Sequence, residues 1–263
     1  MLIEQEQTEV MTATGPMTIY IVKPKIPGYP NAKFPGVVVY SEIYQVTGPV
    51  LRFAQQIASQ GYICALPCSF HEWAGAAALD YGREGTDAGN SYKIQKLLGA
   101  TDEDSKLAID TLTAHKNCTG KIGSTGEQRF SLFQRQTSYL PFARWHDGTL
   151  SPDGDDTLLR GSKGEIMGEL VLIFGTQDGH VPLEARTKIR AKLTDPSVQP
   201  PLRLTFLELQ ANHAFIRDEM SKGRFDAAIT KVCFDLLLET FGRTLRSDLG
   251  EPVEEKKDGK LVC

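Results

Sequence analysis

The residues best suited to chemistry are an acid and a histidine. Asp178 stands in Phe174-Gly175-Thr176-Gln177-Asp178-Gly179-His180-Val181-Pro182, just after Glu169–Phe174, the strongest apolar run in the chain. His213, in Gln210-Ala211-Asn212-His213-Ala214-Phe215, follows the next strand candidate, Leu202–Leu207, and lies 35 positions after Asp178. The carboxyl ends of strands are where open α/β sheets keep their sites. A carboxylate placed there can fix a histidine's tautomer and stabilise the imidazolium during acyl transfer. Each residue alone has a plainer reading: Asp178 as a turn or the cap of a helix from Leu183, His213 as a solvated loop side chain. Their pairing, acid before histidine on successive strand ends, favours the chemical reading.

An acyl-transfer site also needs a nucleophile and donors for an oxyanion. Tyr40-Ser41-Glu42-Ile43-Tyr44 follows the first buried strand, so its backbone N–H groups are oxyanion-hole candidates, and Glu42 is placed to contact a nucleophile. Glu42 read without that company is an exposed acid at a loop start. The nucleophile belongs at Thr119–Gly126, where a short strand runs into glycines as an elbow requires. Yet Gly126 is followed by Glu127-Gln128-Arg129-Phe130, without Ser or Cys two residues on. Ser124 lacks the G-x-S-x-G frame, because Ile122 takes the first glycine position, and it reads as structural. His71-Glu72 and His115 have no ligand spacing, so the sequence supports no metal site.

The elements that would carry these residues are those of one α/β domain over residues 1–245, with a charged, flexible tail over 246–263. Residues 6–23 read as two antiparallel-type strands, followed by an irregular connection through Pro24, Pro27, Gly28 and Pro30. Gly36–Tyr40, helix Val50–Gln60 stopped by Gly61, and Tyr62–Leu66 form a βαβ unit and point to a parallel sheet. Residues 68–100 are glycine-rich and polar and read as a substrate-covering loop. Thr101-Asp102-Glu103-Asp104 reads as a capping box opening a helix through Leu112. Leu183–Leu193 and Asp226–Phe241 are helices, the second closed by Gly242.

Residues 127–150 break the pattern. They contain no Val, Ile or Met but three arginines, and leave little room for a helix before a short strand at Thr137–Leu140. A local frameshift or a mis-spliced exon would produce such a stretch.

Composition narrows the rest. The net charge of -4 gives no footprint for nucleic acid. No apolar run approaches a membrane span of roughly 18 residues, and the acidic start lacks a secretion signal. Five scattered cysteines without a C-x-x-C pair point to reduced thiols and a cytoplasmic protein.

Ser41-Glu42-Ile43-Tyr44, Gly123-Ser124-Thr125-Gly126, Phe174–Asp178 and Asn212-His213-Ala214-Phe215 together resemble the dienelactone hydrolase (carboxymethylenebutenolidase) family. The resemblance implies an α/β-hydrolase fold, with a mostly parallel central sheet and helices on both faces. It also implies a Cys-His-Asp triad that opens small lactones or esters without metal or cofactor. Position by position, Asp178 matches the triad acid, His213 the base, Glu42 the glutamate that contacts the thiol, and Ile43 an oxyanion donor. The family's cysteine position is held by Gln128, and the paired glycines after it are gone. Two readings follow: a hydrolase whose chain has lost its nucleophile, or a pseudoenzyme that binds an acid, lactone or protein partner in the old pocket. The partner expected in either case is a small molecule, with a monomer or weak homodimer as the assembly.

Overall fold

The computed structural model describes residues 1–126, 138–140, 168–198 and 201–246. In chain order the elements are β1 (Leu2–Thr12), β2 (Gly15–Lys25), β3 (Phe34–Tyr40), α1 (Gly48–Ser59), β4 (Ile63–Pro67), α2 (His71–Ala74), α3 (Arg83–Gln95), α4 (Leu98–Ala114) and β5 (Cys118–Gly126). Then follow β6 (Ser138–Leu140), β7 (Glu169–Gly175), α5 (Leu183–Leu193), β8 (Arg203–Leu209) and α6 (Ala227–Leu245).

The strands form one sheet in the order β1-β2-β4-β3-β5-β6-β7-β8. The six from β4 to β8 are parallel, and only the β1–β2 hairpin and its junction with β4 are antiparallel. The parallel part explains the unbroken β-branched runs, because alternate side chains must be apolar on both faces. On β3, Val37 and Val39 join α1 and α6 in one core, while Val38 and Tyr40 join α4 in another. On β7, Val171 and Ile173 face the α1–α6 side, and Leu170, Leu172 and Phe174 pack on α5. Helix α1 sets Phe53, Ala54, Ile57 and Ala58 against the sheet. Each fully buried side chain of the size of Ile57 contributes about 1.5–3 kcal/mol to folding.

Four local expectations change. Residues 68–100 are not one loop, since they hold α2, α3 and the start of α4. Helix α3 escapes a periodicity search because the residues it buries are Gly85 and Gly89, not apolar side chains. Its backbone lies so close to its neighbours that a Cβ at Gly89 would fall 2.4 Å from the Ile43 carbonyl oxygen. The Thr101 capping box does not cap, because α4 opens at Leu98 and the Thr101 hydroxyl donates back to the Leu97 carbonyl at 3.2 Å. Gly242 does not end the last helix, which continues to Leu245. At its other end Asp226 does act as a cap, accepting from the Ile229 N–H at 2.9 Å. Arg246, assigned by sequence to the tail, lies with its guanidinium 4.6 Å above the Tyr62 ring and donates to the Gln60 carbonyl.

Candidate active site at the carboxyl edge of the sheet

Since β3 and β5–β8 run parallel, the carboxyl ends of β3, β5, β7 and β8 lie along one edge. The loops after β7 and β8 are tied to each other by backbone bonds. The N–H groups of Thr176 and Gln177 donate to the carbonyls of Leu209 and Ala211 at 2.7 and 3.0 Å. This approach requires glycine at 175, where a Cβ would lie 2.3 Å from the Ala211 oxygen. Asn212 Nδ2 adds a bond to Gln177 Oε1 at 3.1 Å.

The clasp sets Asp178 and His213 face to face, with His213 Nδ1 2.9 Å from Asp178 Oδ2. Asp178 is buried, and its other oxygen accepts the His180 N–H at 2.8 Å. Burial alone would raise the pKa of this carboxyl. The bond and charge of His213 and the His180 N–H outweigh burial and hold it below the usual carboxylate value. An ionised Asp178 bonded to Nδ1 keeps that nitrogen protonated and presents Nε2 as the basic nitrogen. The His213 side chain is 42% exposed, as a group that exchanges protons with a ligand requires. Ala214 beside it has φ +56°, a left-handed conformation that a non-glycine residue seldom adopts away from functional turns. The His180 ring rests 4.4 Å from the His213 ring, and its pKa is lowered by burial first and then by the His213 charge.

The loop after β3 turns at Gln45, which is fully buried with φ +67°. Its side chain supports that conformation by donating to the Gly75 carbonyl at 2.9 Å and accepting the Phe70 N–H at 3.1 Å. Glu42 is buried rather than exposed and carries two strong bonds, from Arg217 Nη1 at 2.6 Å and from the Tyr81 hydroxyl at 2.7 Å. The Arg217 guanidinium lies 4.5 Å from the Tyr81 ring centre and 5.7 Å from that of Tyr44. Tyr81 is pushed well above an ordinary tyrosine by burial first and then by the Glu42 charge, so it remains a donor. A cavity of about 40 Å³ joins Glu42 and Arg217 to Phe53, Ile216 and Gly126. At Gly126, with φ +153°, a Cβ would lie 2.5 Å from the Tyr40 oxygen, so glycine is required there. Gln128 lies outside the described residues. Ser124 is fully buried in the strand.

Because Gly89 abuts the Ile43 carbonyl, the helix α3 backbone fixes the position of the Ser41–Thr47 loop. Gly89→Ala is expected to destabilise the protein by about 1–3 kcal/mol, the usual effect of overpacking. A denaturant titration that finds no loss would mean that the loop yields freely.

A carboxymethylenebutenolidase-family protein of Saccharomyces cerevisiae (strain ATCC 204508 / S288c) is 48% identical over 277 aligned positions, covering 100% of both chains. The chain belongs to the carboxymethylenebutenolidase, or dienelactone hydrolase, family. A member from Synechocystis (strain ATCC 27184 / PCC 6803 / Kazusa) is 23% identical over 222 residues, 80% of this chain and 85% of its own. Among solved structures, a dienelactone-hydrolase-family protein from Klebsiella pneumoniae subsp. pneumoniae superposes with TM-score 0.72 at 15% identity, over 92% of this chain and 99% of its own. A dienelactone hydrolase-like promiscuous phosphotriesterase from metagenomic libraries gives TM-score 0.70 at 14% identity, over 92% and 98%. These likenesses show the α/β-hydrolase fold. No family model matches the chain.

Against this dienelactone hydrolase framework, sequence reasoning missed Arg217, Tyr81 and Gln45. Each acts through contacts with residues far away in the chain, and none stands in a recognisable motif. His71 and Glu72, which show no ligand spacing in the sequence, gain a third neighbour in the fold. Asp104 of α4 joins them, with ligand-type atoms of all three within 4.8 Å of one another. The cation among them is Lys96, whose Nζ donates to Asp104 Oδ2 at 2.5 Å and Glu72 Oε1 at 2.6 Å. A metal ion would have to displace that ammonium. Three of the five cysteines, Cys64, Cys68 and Cys118, are buried with raised thiol pKa values, Cys68 to about 12, so none of these supplies a ready thiolate. Cys118 opens β5, and Cys233 is buried on α6. Among the described residues no helix is long and apolar enough to cross a membrane.

Proposed function

We propose that this dienelactone hydrolase-family chain binds a small lactone or carboxylic ester, with Asp178 and His213 as the acid–base pair of a Cys-His-Asp-type triad. In this chain the cysteine is replaced by Gln128. The observation that carries the reading is the 2.9 Å bond between Asp178 and His213 at the ends of adjacent parallel strands. In an intact triad His213 Nε2 takes the proton of the nucleophile and returns it to the leaving alkoxide, while the Ile43 N–H steadies the oxyanion. Glu42 is held by Arg217 and Tyr81 and lines one cavity with Gly126. A glutamine carboxamide forms no acyl-enzyme, so this chain lacks the acylation step. No metal or cofactor is required, and the cytoplasm is the proposed location.

A pseudoenzyme that retains only binding is favoured by the same replacement. The test is to follow melting and hydrolysis together, with an enol lactone and an activated ester as ligands. A raised melting temperature with hydrolysis near background is the expected result. A rate well above background that His213→Ala abolishes would mean instead that the pair activates water directly. The absence of both a melting shift and hydrolysis with every such ligand would overturn the assignment of substrate class.

A further inference from the structure

The sheet ends on one side in β1, whose outer edge carries no strand among the described residues. β1 pairs with β2 over its full length, Leu2↔Lys25 to Thr12↔Gly15, without a register shift. At about 3.4 Å per residue it presents an edge roughly 37 Å long. Such an edge is a template for another strand unless proline, charged side chains, a bulge or covering structure blocks it. Leu2-Ile3-Glu4-Gln5-Glu6-Gln7-Thr8-Glu9-Val10-Met11-Thr12 has no proline, and the continuous pairing shows no bulge; of its three glutamates, Glu4 and Glu6 are already paired with Lys25 at 2.9 Å and Lys23 at 3.0 Å on β2. The hairpin is also held rigidly. At its tip the Ala13 N–H donates to the Glu103 carboxylate at 3.1 Å and the Thr14 hydroxyl to Glu72 Oε1 at 3.2 Å.

We propose that β1 is the interface of a homodimer, in which two copies pair antiparallel through this edge about a two-fold axis at Gln7. The argument rests on register. Only an axis at Gln7 pairs all of residues 2–12, and it sets Leu2 opposite Thr12, Ile3 opposite Met11, Glu4 opposite Val10, Gln5 opposite Glu9 and Glu6 opposite Thr8. No glutamate faces a glutamate. A slip of one residue either way puts Glu9 opposite Glu4 or Glu6, and a further slip in one direction puts Glu6 opposite itself. Directly opposed like charges destabilise a strand pair. The remaining slip, about Thr8, leaves Leu2 and Ile3 unpaired and sets Met11 against Gln5.

Two further features suit the axis at Gln7. The most exposed large apolar side chains of the strand are Met11, 72% exposed, and Leu2, 60% exposed. In this register Met11 meets Ile3 of the second copy. The two Glu6 residues approach only diagonally, and each is already bonded to Lys23 at 3.0 Å and His115 at 2.8 Å. The ladder formed is isologous, so it closes after two copies and cannot propagate through this edge.

Sedimentation equilibrium of the whole chain over a wide concentration range tests the proposal. The expected result is a reversible shift from one 29.0 kDa chain to two. Gln7→Lys, which places two ammonium groups at the axis, and Gln7→Pro, which removes an edge donor, are each expected to weaken association at least tenfold with unchanged melting. If Gln7→Pro fails to fold, Gln7→Lys decides. The register is read by mild oxidation in a Cys263→Ser background. Opposed residues have Cα atoms about 4.5–5.5 Å apart, within disulfide reach. Gln7→Cys should therefore form a covalent pair, and Met11→Cys, which faces Ile3, should not. A single-chain mass at every concentration, association that Gln7→Lys leaves intact, or equal cross-linking at 7 and 11 would overturn it.

Discussion

The triple variant Gln128→Cys, Phe130→Gly, Ser131→Gly is expected to raise hydrolysis of small lactones and activated esters at least about a thousandfold. Deleting the nucleophile of a triad enzyme costs on the order of a millionfold in turnover, and the residue of rate enhancement comes from binding and the oxyanion hole. The partners a cysteine needs are in place on this edge: Asp178 and His213 at 2.9 Å, and Glu42 beside Gly126. The glycines matter because an elbow needs backbone that ordinary residues resist, as Gly126 already shows by its contact with Tyr40. Gln128→Cys without the glycines should gain less, because the thiol would be presented on a differently shaped turn. The decisive control is His213→Ala in the triple variant, which should return the rate to that of the parent. A folded triple variant with no gain, judged by an unchanged circular dichroism spectrum, would remove the acid–base reading of Asp178 and His213.

Lys96→Met is expected to be among the most damaging single changes to stability, by about 3–5 kcal/mol. Breaking a buried ion pair by removing one partner leaves the other charge without compensation. Here one ammonium, 2% exposed, serves two carboxylates, with Asp104 3% and Glu72 12% exposed. His71 Nε2, at 3.3 Å from Asp104 Oδ1, is a more distant neighbour than the ammonium. In a domain of this size the loss corresponds to a melting temperature lower by roughly 6–20 °C. Asp104→Asn added to Lys96→Met should recover part of the loss, because a neutral amide needs no counter-charge. Thermal unfolding of the three proteins checks this, and a loss below about 1 kcal/mol for Lys96→Met would mean that water reaches the cluster. The same cluster ties α2 and α4 to the β1–β2 hairpin through Thr14, so its loss should also loosen the edge proposed to dimerise.

Much of the architecture was legible because it is written in local patterns. The continuous apolar runs Gly36–Tyr40 and Glu169–Phe174 could only be strands covered on both faces, and glycines at 126 and 175 stand where backbones touch. Asp178 and His213 were found because their strand-end positions are themselves local signals. Helix α3 was not legible, since it packs by glycines and carries no apolar stripe. The false cap at Thr101 has the same root: the start of α4 is set by packing and by the inward turn of Asp104 to Lys96, not by the cap.

By itself, then, the sequence determined the parallel α/β sheet, the family and the absence of a cysteine two residues after Gly126. Tertiary structure alone decided that Glu42 is bound by Arg217, 175 positions away, and by Tyr81. It likewise decided that Lys96 fills the His71, Glu72 and Asp104 cluster, and that β1 is an edge strand among the described residues. The physical reason is the range of the forces. Backbone conformation and burial periodicity are fixed by neighbours in the chain, whereas charge pairing and open edges depend on what the fold brings near or leaves uncovered.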